Sequence, residues 1–163
     1  MISHVRSCTR AAGGLCLAIA EARLAMDATL FADGGSRGNP GPAAGAAVLF
    51  DANGETIEEV YEYLGIATNN VAEWTGLLLG LQAARERGIR RLAVRLDSEL
   101  VVKQLRGEYR VKNAGLLPLY QRARALLRGF ELIDIKHVPR KQNAAADRLV
   151  NVALDLQAAA AEA

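Results

Sequence analysis

The sequence is poor in most of the features that would place it quickly. It has two cysteines, Cys8 and Cys16, both in the first sixteen of 163 residues, and its histidines are His4 and His137; two Cys with one His nearby make neither a disulfide framework nor the four Cys/His ligands of a structural zinc site. A reducing, cytoplasmic setting is the expectation. No apolar run approaches the roughly 18 to 20 residues that cross a bilayer, and no membrane role is expected. Charge of one sign is also missing: 20 Lys and Arg against 18 Asp and Glu leave a net charge of +2, so nucleic-acid binding would have to rest on local patches. The Gly-rich stretch Gly34-Gly35-Ser36-Arg37-Gly38 lacks the Gly-Lys-Ser/Thr ending of a P-loop and the spacing of a dinucleotide fingerprint, which argues against a nucleotide binder.

What is present is an ordinary globular composition, 51% hydrophobic and 23% charged, in a chain long enough for one core and too short for two. Residues 1–27 read as a poorly structured leader with a short Ala-rich helix around 17–25. The apolar Gly13–Ala20 stretch behind Arg6 and Arg10 is a weak match to a signal peptide, because Glu21 and Arg23 stand where a small-residue cleavage site belongs. Deleting residues 1–25 is expected to leave folding and activity intact. A single domain follows over 28–157, and an Ala-rich tail, 158–163, is expected to fray.

Apolar runs at 29–32 and 46–50, the stretch 56–64, period-two patterning at 89–96 and a run dense in β-branched and aromatic residues at 130–138 predict strands, with Asn53-Gly54 as a hairpin signal between the second and third. Val71, Trp74, Leu77, Leu78, Leu81 and Ala84 recur at helical spacing, ending at Gly88. Further helices are predicted at 98–105, 116–127 and 141–159. Three strands in a row, then alternating helices and strands, imply an α/β fold with a five-stranded mixed sheet, three antiparallel strands followed by parallel additions, and helices on both faces.

Four acids stand in these elements where a shared point could gather them. Asp33 ends the first strand, Glu73 lies one turn into the long helix, Asp97 ends the fourth strand, and Asp147 is near the start of the last helix. Each also has a plain structural use: Asp33-Gly34 can open a turn, Asn70 with Glu73 fits a capping box, Asp97 can cap the helix from Ser98, and Asp147 can be a solvated helix residue.

Taken together, Asp33-Gly-Gly-Ser-Arg-Gly-Asn-Pro-Gly-Pro, Thr68-Asn-Asn-Val-Ala-Glu73, Asp97-Ser-Glu and His137-Val-Pro-Arg140 with Asn143 and Asp147 resemble type 1 ribonuclease H, from about Thr29 to about Leu156. The resemblance implies the ribonuclease H-like fold, with the first and fourth strands side by side. It also implies an endonuclease that hydrolyses the RNA strand of RNA/DNA hybrids by two-metal catalysis, leaving 5′-phosphate and 3′-hydroxyl ends. By resemblance Asp33, Glu73, Asp97 and Asp147 are the metal ligands, Asp33 and Asp97 bridging. Oxygen-only donors favour two Mg²⁺ ions, with Mn²⁺ as substitute.

The family's assisting histidine has two candidates here, Arg140, better placed in the loop, and His137, inside the last strand. Gly34, Gly35, Ser36, Asn39, Asn69, Asn70 and Ser98 are the candidate substrate contacts; Asn39 and Asn70 fit turn and cap roles as well. An enzyme that separates RNA from DNA must read the 2′-hydroxyl, and amides that donate and accept can do so. The sequence lacks the basic helix that many bacterial members insert after the second helix, making this the compact form without the basic protrusion. Lys103, Arg106, Arg110 and Lys112 are the candidates to replace it. The competing readings are a non-catalytic hybrid-binding module and a related nuclease acting on double-stranded RNA or on single ribonucleotides in DNA. A monomer is expected.

Overall fold

A computed structural model describes residues 25–163. The leader expected at 1–27 therefore lies almost wholly outside the described residues. Asp27, which it included, is tied to the domain: its carboxylate accepts from the Arg91 guanidinium at 2.7 Å and from the Arg91 backbone at 2.9 Å. That clasp holds the Asp27 carboxyl below the usual carboxylate range.

Five strands form one sheet. They are β1 (Ala28–Ser36), β2 (Gly41–Asp51), β3 (Thr56–Ala67), β4 (Arg91–Leu96) and β5 (Leu132–His137), in the order β3-β2-β1-β4-β5. β1, β2 and β3 pair antiparallel, while β4 joins β1 and β5 joins β4 in parallel, so the sheet is mixed as expected. The first and fourth strands are neighbours.

The helices are α1 (Asn69–Glu86), α2 (Glu99–Leu105), α3 (Leu117–Leu127) and α4 (Ala144–Glu162), the last preceded by a 3₁₀ turn, Arg140–Asn143. α1 is capped by Thr68, whose Oγ1 accepts from the Val71 N–H, so the alternative use of Asn70 in a capping box is not taken. α2 is capped by Ser98 and not by Asp97. Both outcomes release the residue from a purely local use. α4 continues to Glu162, so the Ala-rich end expected to fray is helical, although every residue beyond Leu154 is exposed. β5 is shorter than expected, because the turn after α3 occupies residues 128–131 and the Glu131 N–H bonds the Arg90 carbonyl.

Helices cover both faces. On one, α1 to α3 bury Leu30, Leu49, Leu92, Val94, Trp74, Leu81 and Leu105, with Trp74 edge-on to Tyr120. On the other, Leu149, Val150, Ala153 and Leu154 of α4 pack on Ala44, Ala46 and Val48. Side chains alternate between faces along a strand. Asp33 opposes Ala46 in the β1–β2 register, so its side chain falls on the α4 face.

α1 lies unusually close to the sheet. A Cβ on Gly76 would sit 2.1 Å from the Asp33 carbonyl oxygen, and one on Gly34 would sit 2.0 Å from the Ala72 carbonyl carbon. Only the absence of a side chain on both elements permits this approach. Its consequence is functional, since it brings Glu73 near the head of α1 up to Asp33, which lies inside β1 and not at its end as expected: pairing with β2 carries the strand on through Gly34 and Gly35 to Ser36.

Candidate active site

At the carboxyl ends of β1 and β4 the chain forms a cleft of about 460 Å³ lined by Asp33, Gly34, Gly35, Ser36, Asn69, Glu73, Asp97, Arg140 and Asp147. The parallel β1–β4 register sets Ala32 opposite Leu96, so Asp33 and Asp97 are the next residues on two adjacent strands. Glu73 enters from the first turns of α1 and Asp147 from the first turn of α4. Parallel pairing places functional groups at such strand ends.

The acids perturb one another. Asp33 is 9% exposed, and its carboxyl is pushed up to about 7, first by burial and then by the charges of Asp97, Asp147 and Glu73, against a hydrogen bond from the Gly34 backbone. Burial also pushes Glu73 up; a hydrogen bond from Ser98 opposes that, and the Asp97 charge adds to it. Ser98 thus caps α2 and steadies Glu73 at once.

Arg140 lines the cleft, 81% exposed, with Nη2 3.3 Å from Asp147 Oδ1. His137 does not line it. The imidazole Nε2 lies 3.2 Å from the Asp97 carbonyl oxygen, at the last residue of β5. Arg140 and Arg37 are the basic residues that line the acidic cleft, and His137 lies outside that lining, beside the Asp97 carbonyl.

The polar loop residues form a connected set. The Ser36 N–H donates to Asn69 Oδ1 at 2.8 Å, and the Asn69 N–H donates to Asn39 Oδ1 at 3.3 Å. Asn39, Asn69 and Asn70 also line a neighbouring depression that shares Glu73 with the cleft, so Asn70 sits one step away from the acids. Arg37, Val150, Asn151 and Leu154 line the cleft without having been anticipated. The signal for the last three was present: they follow Asp147 at spacings of three, four and seven, which is one face of a helix.

The donor set suits a hard cation. Four carboxylates share the cleft with few countercharges, and buried, mutually repelling carboxylates gain from one. Among the described residues no three His, Cys, Asp or Glu side chains are gathered tightly enough to hold an ion as they stand. Charge and donor type fit such an ion, which Asp33, Glu73, Asp97 and Asp147 would hold.

Comparison with known proteins shows which family the chain resembles. Residues 31–153 match the family described as reverse transcriptase-like. Bifunctional protein Rv2228c of Mycobacterium tuberculosis is 48% identical over 141 residues, covering 85% of this chain, and the chain spans 39% of that relative's length. The solved N-terminal RNase H domain of that mycobacterial protein, a fusion with maltose-binding protein, is 46% identical over 83% of this chain and 99% of the other, with a TM-score of 0.80. LC11-RNase H1 in complex with an RNA/DNA hybrid is 37% identical over 80% of this chain and 98% of the other, with a TM-score of 0.76.

Fold and match together define a reverse transcriptase-like domain. Within that class, the chain belongs to the ribonuclease H family.

Proposed function

We propose that this chain is an endonuclease that hydrolyses the RNA strand of RNA/DNA hybrids, with Asp33, Glu73, Asp97 and Asp147 holding two Mg²⁺ ions, for which Mn²⁺ substitutes. The observation that carries this reading is the delivery of four carboxylates, from four separate elements, to one cleft in which Arg140 pairs with Asp147. Paired divalent ions supply an acidified water on one side of a phosphodiester and charge stabilisation of the leaving oxygen on the other. By family resemblance the products carry 5′-phosphate and 3′-hydroxyl ends.

The chain's own residues have separable parts in this. Asp33 and Asp97, side by side where the β1–β4 pairing ends, would both hold the ions, and Ser98 bonds Glu73. Arg140 offers an exposed positive charge beside Asp147, suited to a phosphate group entering or leaving. Asn39 and Asn69 spend their side-chain oxygens on backbone N–H groups, which leaves their Nδ2 amides to donate toward acceptors such as a 2′-oxygen or a base edge in the minor groove. Cytoplasmic location and a monomeric state belong to the same proposal.

The competing reading is a module that binds hybrid without cutting it, and the intact set of four acids lining one cleft counts against it. Cleavage of labelled RNA/DNA hybrid, beside RNA duplex and DNA duplex, with Mg²⁺, Mn²⁺ or EDTA, separates the two. Hybrid-selective cutting that needs a divalent ion and falls by on the order of 10²–10³-fold or more in Asp97→Asn supports the nuclease. Binding without cutting under either metal supports the module, and cutting of RNA duplex widens the substrate range.

A further inference from the structure

We propose that Asn143 is a positioning residue, whose buried side-chain amide sets the spacing between the stretch of β1 that carries Asp33 and the start of α4 that carries Asp147. Asn143 is fully buried at the head of α4, and its Nδ2 donates to the Ala32 carbonyl at 2.9 Å. Ala32 is the residue before Asp33, and Asp147 lies one helical turn after Asn143. The β1–β4 pairing ends at Ala32 and Leu96, so the amide grips β1 where it leaves its parallel neighbour.

Two departures from what stability alone would select point the same way. Asn143 stands at the N-cap of α4, where an asparagine oxygen normally accepts from the first free N–H groups of the helix, yet it makes no cap bond. Its Oδ1 is instead buried with no hydrogen-bond partner among the described residues. A forgone cap and an orphaned buried acceptor both cost stability. Local rules are broken in this way chiefly where function sets the geometry. The other polar link near this junction, Arg140 to Asp147, is largely exposed and joins two residues of the same segment, so it cannot fix α4 against β1.

This inference rests on the proposed nuclease reading, and its test separates the two. Asn143→Ala removes the link, whereas Asn143→Gln keeps the donor and displaces it by one methylene. Leu92→Ala, at the end of β4 opposite Asp97, is a control for lost stability alone. Each protein is measured for the rise in thermal midpoint on adding Mg²⁺ without substrate, and for kcat and KM on hybrid. In both Asn143 variants the Mg²⁺-induced rise is expected to drop below half of the parent's and kcat to fall at least tenfold with KM within twofold, while Leu92→Ala keeps the parent's rise and kcat. A folded Asn143→Ala or Asn143→Gln whose Mg²⁺ response and kcat stay within twofold of the parent overturns the positioning role. A parent that neither responds to Mg²⁺ nor cuts hybrid overturns the nuclease reading, and this inference with it.

Discussion

Replacing Asp33 by asparagine is expected to stabilise the cation-free protein at alkaline pH while removing its activity. The carboxyl has an ordinary value of 3.8 and is pushed up to about 7 in the fold, first by burial and then by Asp97, Asp147 and Glu73. Between those values the folded state holds a proton that the unfolded state has lost, so stability falls as pH rises through this window. At about 1.4 kcal/mol per pH unit, the raised carboxyl costs the fold about 1.5 kcal/mol at pH 5, where it is still protonated, and about 4 kcal/mol at pH 8, where it is ionised. The amide introduced by Asp33→Asn would carry no charge but would leave a buried polar group incompletely bonded, at about 1–3 kcal/mol. A net gain of about 2 kcal/mol at pH 8 follows from these two figures, or roughly 6 °C in the thermal midpoint for a chain of this size, and little or none is expected at pH 5. Urea titrations of parent and Asp33→Asn at both pH values in EDTA measure it, and a divalent cation should then stabilise the parent more than the variant. An advantage for Asp33→Asn that does not grow between pH 5 and pH 8 would refute the electrostatic account of the cleft.

Two further outcomes are expected. Gly76→Ala would place a methyl 2.1 Å from the Asp33 carbonyl oxygen, so α1 must move off β1; a loss of at least about 1–3 kcal/mol in chemical denaturation, with reduced cleavage as Glu73 retreats, is the prediction. Among the basic residues suggested to replace the missing protrusion, Lys103 is paired to Glu99 at 2.9 Å and Arg106 donates to the Ile135 carbonyl at 2.5 Å, whereas Arg110 is exposed and Lys112 lies beside it on the same connection. Hybrid affinity should therefore fall steeply with salt, and Arg110→Ala and Lys112→Ala should each lower the log–log salt slope by about 1 while Lys103→Ala changes it less. An unchanged slope in both would place the phosphate contacts elsewhere.

The elements were legible in the sequence because their signals are local. Apolar runs and alternation marked the strands, though β1 runs four residues past its expected end and β2 begins five residues before its expected start, while the Val71–Ala84 period marked α1 and Gly88 its end. The four acids could be picked out for the same reason, each standing at an element boundary where a short motif surrounds it. Sheet order was reached through the resemblance, since strand pairing joins residues far apart in the chain and leaves no local trace.

Tertiary structure alone decided what surrounds the acids. Gly34 and Gly76 are two glycines among fifteen until β1 and α1 are laid against each other, when each proves to be the only residue that fits. Ser98 reads as a cap or a substrate contact, and its bond to Glu73 exists because the heads of α1 and α2 meet at the same cleft. Asn143 shows the limit most clearly. As a residue at a helix head it predicts a cap, and only the burial of its amide against Ala32, 111 positions earlier, turns it inward. Sequence carries the periodicity that makes elements and the residue types that do chemistry. Burial, desolvation and the mutual charge of groups brought together from distant positions belong to the packed chain, because none of them exists until the elements meet.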